Sequence, residues 1–143
     1  MAETLGSLCD KLTIVKLKQY HCDDASKSES LASQERQLVQ EVDEYLGDAF
    51  GGVIPPEKLT FRSNKIYKRD GNVLPAIKVC TLGAFIAELA KANCELWHEQ
   101  EKVYEFERVP VVEKDRVVKQ LAILNLQRTQ CIDAIDRALV KAV

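Results

Sequence analysis

Thr81-Leu82-Gly83-Ala84-Phe85, followed by Glu88-Leu89 and then Trp97-His98 and Glu101, repeats a pattern already written near the amino terminus. There the chain reads Thr4-Leu5-Gly6-Ser7-Leu8, then Lys11-Leu12, then Tyr20-His21 and Asp24. The two stretches align without a gap at an offset of 77 (98 minus 21), which pairs the only two histidines, each behind a large aromatic. After each Thr-Leu-Gly the apolar residues recur three and four apart: Leu5, Leu8, Cys9, Leu12 and Val15 in one copy, Leu82, Phe85, Ile86, Leu89, Leu96 and Val103 in the other. That period belongs to an amphipathic helix with a wide buried face. A threonine at each start is a good N-cap, because its hydroxyl accepts from an amide that the first turn leaves free.

Working outward, the first helix is expected over residues 5–22 and a polar, aperiodic loop over 23–30. A second, shorter helix follows from Ser33 through Leu38, Val42, Tyr45 and Leu46, stopping at Gly47. The third starts at Thr81 and ends near Val109-Pro110, since proline cannot sit inside a helix but can precede one. The fourth is expected over residues 113–140. Its later part, Gln130-Cys131-Ile132-Asp133-Ala134-Ile135-Asp136, echoes Gln37-Leu38-Val39-Gln40-Glu41-Val42-Asp43 of the second. The expected fold is therefore all-α: a four-helix bundle from a duplicated helical hairpin (residues 4–47 and 81–143), in one domain spanning 1–143. Between the halves, residues 48–80 hold Gly51-Gly52, Pro55-Pro56 and Asp70-Gly71-Asn72, so an irregular or small β-hairpin insertion is expected, with extended legs at Leu59-Thr60-Phe61 and Ile66-Tyr67-Lys68.

At 143 residues the chain is long enough to bury a real core. Its 20 basic and 22 acidic residues leave it near neutral, which argues against nucleic acid as the main partner. The start Met1-Ala2-Glu3-Thr4 lacks a secretory pattern, and no window is apolar enough to span a bilayer. Five scattered cysteines without a C-x-x-C pair suit buried thiols in a cytoplasmic protein. Helical faces wider than one core requires point to a homo-oligomer, most simply a dimer.

Three groups of residues are candidates for chemistry. The first is the histidines. Glu95-x-x-His98 has the spacing of one helix's share of a bundle metal site, but Lys18 stands at the position aligned with Glu95 beside His21. No metal ligands and no cofactor are assigned, and the alternative is an aromatic–histidine pair fixing the bundle end. The second group is polar residues on apolar lines: Asn93, Asn125 and Arg128, which need buried partners such as Asp10, Glu88 or Asp43. With Asp10, His21, Trp97 and His98 they outline a pocket for a small anionic ligand such as a sugar nucleotide or phosphate, or else a polar layer setting helix register. The third is Arg62, Lys65, Lys68 and Arg69, interleaved with Phe61 and Tyr67, which suits phosphate binding. No catalytic residues are assigned. Glu41/Glu44 (E-x-x-E) and Asp133/Asp136 (D-x-x-D) keep a metal-dependent nucleotide pyrophosphohydrolase as the alternative to a non-enzymatic binding or interaction module.

The run Leu5-Gly6-Ser7-Leu8-Cys9-Asp10-Lys11-Leu12-Thr13-Ile14, with Leu96-Trp97-His98, Leu124-Asn125-Leu126-Gln127-Arg128 and Ile132-Asp133-Ala134-Ile135-Asp136, resembles a bacterial and phage family of small helical proteins of unknown function. Cys9 departs from it, standing where a branched aliphatic is usual. Some members of that family lie near surface-polysaccharide biosynthesis genes, so the resemblance implies a helical fold and a cytosolic accessory role, with no catalytic residues to carry over.

Overall fold

The computed structural model describes residues 3–61 and 81–143; among these it contains four helices and no strand. They are α1 (Leu5–His21), α2 (Ala25–Phe50), α3 (Leu82–Tyr104) and α4 (Val111–Ala142), with single 3₁₀ turns at Pro56–Lys58 and Phe106–Arg108. The fold is all-α. No helix among the described residues is long and apolar enough to cross a membrane.

Both threonines cap as their position suggests. Thr4 Oγ1 accepts from the Ser7 amide at 3.3 Å while Ser7 Oγ accepts from the Thr4 amide at 3.2 Å, a reciprocal box. Thr81 Oγ1 accepts from the Ala84 amide at 3.2 Å. α2 differs from expectation at both ends. It has 26 residues, more than the 23 of α3, and most of the stretch expected as a loop belongs to it. Asp24 is the reason: its Oδ1 accepts from the Ser26 amide at 2.9 Å and the Lys27 amide at 3.4 Å, which starts the helix at Ala25. The turns that follow are exposed and so show no apolar period. At the other end Gly47 lies within α2, with open space where its Cβ would be, and the helix continues to Phe50. Gly52, at φ 78°, is what turns the chain away.

The connection then folds back on the core. Leu59 is fully buried and Ile54 packs beside it. Leu59 closes the 3₁₀ turn in helical geometry (φ −79°, ψ −13°), so no extended leg begins there; the expected second leg at Ile66-Tyr67-Lys68 lies outside the described residues.

Packing follows from the long-range bonds. Gly6 reaches Asp136 and Asp10 reaches Arg128, so α1 and α4 run antiparallel. Asp10 also meets Asn93, and the His21 ring meets Trp97, so α1 and α3 run parallel. These three helices surround a core of Leu5, Cys9, Leu89, Cys131, Ile135 and Leu139. Each fully buried leucine there stabilises the fold by roughly 1.5–3 kcal/mol. α2 packs chiefly on α1 and joins the core at its far end through Val42, Tyr45, Leu46 and Ala49. The repeated stretches are used differently: Gly6 is buried against Ile132 whereas Gly83 faces open space, and Tyr20 is exposed whereas Trp97 is half-buried.

Candidate functional site

The polar residues on apolar lines converge at mid-bundle. The Asp10 carboxylate is buried and accepts Arg128 Nε at 2.8 Å and Nη2 at 2.6 Å, a two-pronged ion pair. Asn93 Nδ2 donates to Asp10 Oδ1 at 3.0 Å and to Thr13 Oγ1 at 2.8 Å. Hydrogen bonding to Asp10 holds the Arg128 guanidinium's pKa above its ordinary value, and burial offsets part of that. The three helices α1, α3 and α4 are thereby pinned at one level. Asp10 accepts three hydrogen bonds, two from Arg128 and one from Asn93, an arrangement that ties the three helices together in register. Asn125 does not share it. Its side chain is exposed and its amide donates to the Leu121 carbonyl one turn back on α4, because that position of the helix faces solvent.

One turn beyond Asn93 on α3, Trp97 stacks on His21 (centroids 4.7 Å apart, planes 6° apart), which also meets His98 edge-on at 6.2 Å. Tyr20 abuts the same imidazole at 5.1 Å. The repeat pairs His21 with His98, but the stack pairs His21 with the other copy's aromatic. Both histidines are exposed, and among the described residues no three His, Cys, Asp or Glu side chains group as ligands of one ion. Arg62, Lys65, Lys68 and Arg69 lie outside the described residues.

The acidic pairs are not equivalent. Glu41 and Glu44 stand on the outer part of α2, each accepting from a glutamine one turn back (Gln37 and Gln40). Asp136 is instead fully buried: its Oδ1 accepts the Gly6 amide at 2.7 Å, capping the positive end of α1 from α4. It cannot join Asp133 in a solvent-facing pair. Burial pushes its pKa up to about 6, with the Gly6 amide and Thr4 hydroxyl pulling it partly back. Asp136 Oδ2 and the Tyr45 hydroxyl are buried without a hydrogen-bond partner among the described residues, and burial together with the Asp136 charge raises the Tyr45 pKa. The surroundings of Asp136 comprise Asp133 and Arg137 on α4, the capping Thr4 with Gly6 and Cys9 of α1, and Tyr45 on α2. The Cys9 and Cys131 thiols are likewise pushed up to about 11 by burial, which leaves them protonated and unreactive at neutral pH.

Asp136 binds its proton more tightly folded than unfolded, so its stabilising contribution is complete below about pH 4 and is lost as pH rises through about 6. The change is about 3 kcal/mol for a shift of this size. Asp136→Asn keeps an acceptor for Gly6 and stands in for the protonated form. Chemical unfolding between pH 4 and 7.5 should show the difference between wild type and variant growing with pH; parallel curves would contradict the assignment.

A hollow beside α1 was not foreseen. It measures about 690 Å³ and lies between α1 and α2. Leu8, Ile14, Val15 and Leu38 line it, and Glu41, Glu44 and Asp48 edge it along α2. Lys11 and Lys18 stand on the α1 side, Lys11 being paired with Glu3.

Comparison of the chain with protein-family models, with curated proteins and with solved structures finds no match.

Proposed function

We propose that the chain is a non-enzymatic protein-interaction module, and that the α1–α2 groove is its docking surface for a basic amphipathic helix. The observation that carries this is the pairing of an apolar lining (Leu8, Ile14, Val15, Leu38) with an acidic edge (Glu41, Glu44, Asp48) in one elongated hollow. A helix laid in such a groove buries its apolar stripe at three- and four-residue spacing, and its lysines or arginines meet the acidic edge. α2 suits the role because it packs on one neighbour for most of its length, so its flank stays available. The duplication belongs to the same reading: one ancestral hairpin doubled, after which α1, α3 and α4 came to share the core and α2 kept a working face.

The test is fluorescence anisotropy with a labelled 15–18-residue Leu/Lys amphipathic peptide. Saturable binding that weakens with salt is expected, and Glu41→Lys with Glu44→Lys should reduce affinity about tenfold or more, since these charges set encounter and register. Absence of binding, or binding indifferent to both these changes and Leu38→Asp, would refute the proposal.

A further inference from the structure

The two ends of the α1–α2 groove differ in charge. Six ionised side chains line it: Glu3, Lys11 and Lys18 on the α1 side, and Glu41, Glu44 and Asp48 on α2. The two helices run antiparallel, since Lys16 and Gln19 near the end of α1 both bond Glu35 in the first half of α2. The groove therefore runs from Glu3 and Asp48 at one end to Lys18 and Gln34 at the other, about 20 Å at 1.5 Å per residue.

Glu3 and Lys11 pair with each other, which leaves Glu41, Glu44 and Asp48 toward the first end, in no ion pair among the described residues. Lys18 marks the second end and is likewise in no ion pair there. Beyond it the adjoining hollow adds Lys27, Asp23 and Asp24, so that end sums to neutral. The helix walls do not mask this gradient. As antiparallel neighbours, α1 and α2 set opposite dipole ends side by side, and these largely cancel.

We infer that the basic helix binds in one direction, parallel to α1, with its amino end at Glu44 and Asp48 and its carboxyl end at Lys18. This rests on the docking reading given above and adds a direction to it. A helix carries about half a positive charge at its amino end and about half a negative one at its carboxyl end. Reversed, it would set its negative end among the carboxylates of α2. Each helix end facing charge changes affinity a few-fold, so the two ends together favour the stated direction roughly tenfold at low salt. The partner's lysines or arginines then matter most in its first turns, where the carboxylates lie.

Trp97, the only tryptophan, reports the direction, because the hollow it lines shares Lys18 and Gln34 with the groove. The probe is the Leu/Lys peptide with both termini blocked and a dansyl group on its first or its last residue. At saturation, energy transfer from Trp97 should be roughly threefold or more higher to the label on the last residue, the two positions lying about 20 Å apart along the groove. Asp48→Lys with Lys18→Glu removes the gradient. Both side chains are exposed, so folding should not change, and the difference between the labels should disappear. Saturable binding with equal transfer to both labels, or with more to the first, would overturn the direction and leave the groove in place. A preference that survives the double substitution would overturn it too. Absence of any binding would remove the docking reading itself, and the direction with it.

Discussion

Gly6→Ala is expected to lower stability by about 3 kcal/mol, the upper end of what overpacking costs, because backbone rather than a side chain must absorb the clash. A Cβ at residue 6 would fall on the Ile132 carbonyl oxygen and come within 2.8 Å of Asp136 Oδ1 and 2.9 Å of Ile132 Cγ2. The carbonyl belongs to the backbone of α4, so no rotamer change relieves it. The helices must separate, and separation also breaks the Gly6–Asp136 hydrogen bond and strands a buried carboxylate. For a domain of this size the melting temperature should fall by roughly 10 °C. The aligned glycine makes the control. Gly83→Ala meets nothing within 4 Å, and should be neutral or stabilise by up to about 1 kcal/mol through helix propensity and a less free unfolded chain. Thermal melts of the two variants side by side decide the matter: equal effects would mean that α1 and α4 are not in contact at Gly6.

Arg128→Met is the second large expectation, at about 3–5 kcal/mol. The cost comes mostly from what remains: Asp10 is buried, and with its cation gone only Asn93 still faces it. Asp10→Asn in the same chain should recover part of the loss, because the double variant removes the uncompensated charge. Denaturant unfolding of both singles and the double should give a coupling of about 2 kcal/mol. Strict additivity would mean that the pair is not formed. A ligand site would behave differently, since losing Arg128 there would release a constraint at little cost in stability.

Much of this was legible from spacing. The polar residues Asn93 and Arg128 on apolar lines demanded a buried acid, and Asp10 is that acid. The threonine caps and the all-helical class follow from local chemistry that tertiary contacts do not reverse. Asp136 was legible in principle. It sits four residues after Ile132 and three before Leu139, on the buried stripe of α4, but its spacing to Asp133 makes the two look like a surface pair. The start of α2 was obscured because its first turns face water and carry no apolar period, leaving only the Asp24 cap as a signal. Nothing local distinguishes Gly6 from Gly83, since the difference lies in how closely another helix approaches. The groove was invisible for the same reason, being a property of the distance between α1 and α2.

The bond from the Gly6 amide to Asp136 spans 130 positions of the chain. During synthesis the opening turn of α1 can find its own threonine at once, yet its second cap does not exist until the last helix has left the ribosome. Contacts this remote are entropically slow to close and raise the contact order of an otherwise local helical fold. The early hairpin thus waits for the late one, and final compaction is an event of the whole chain.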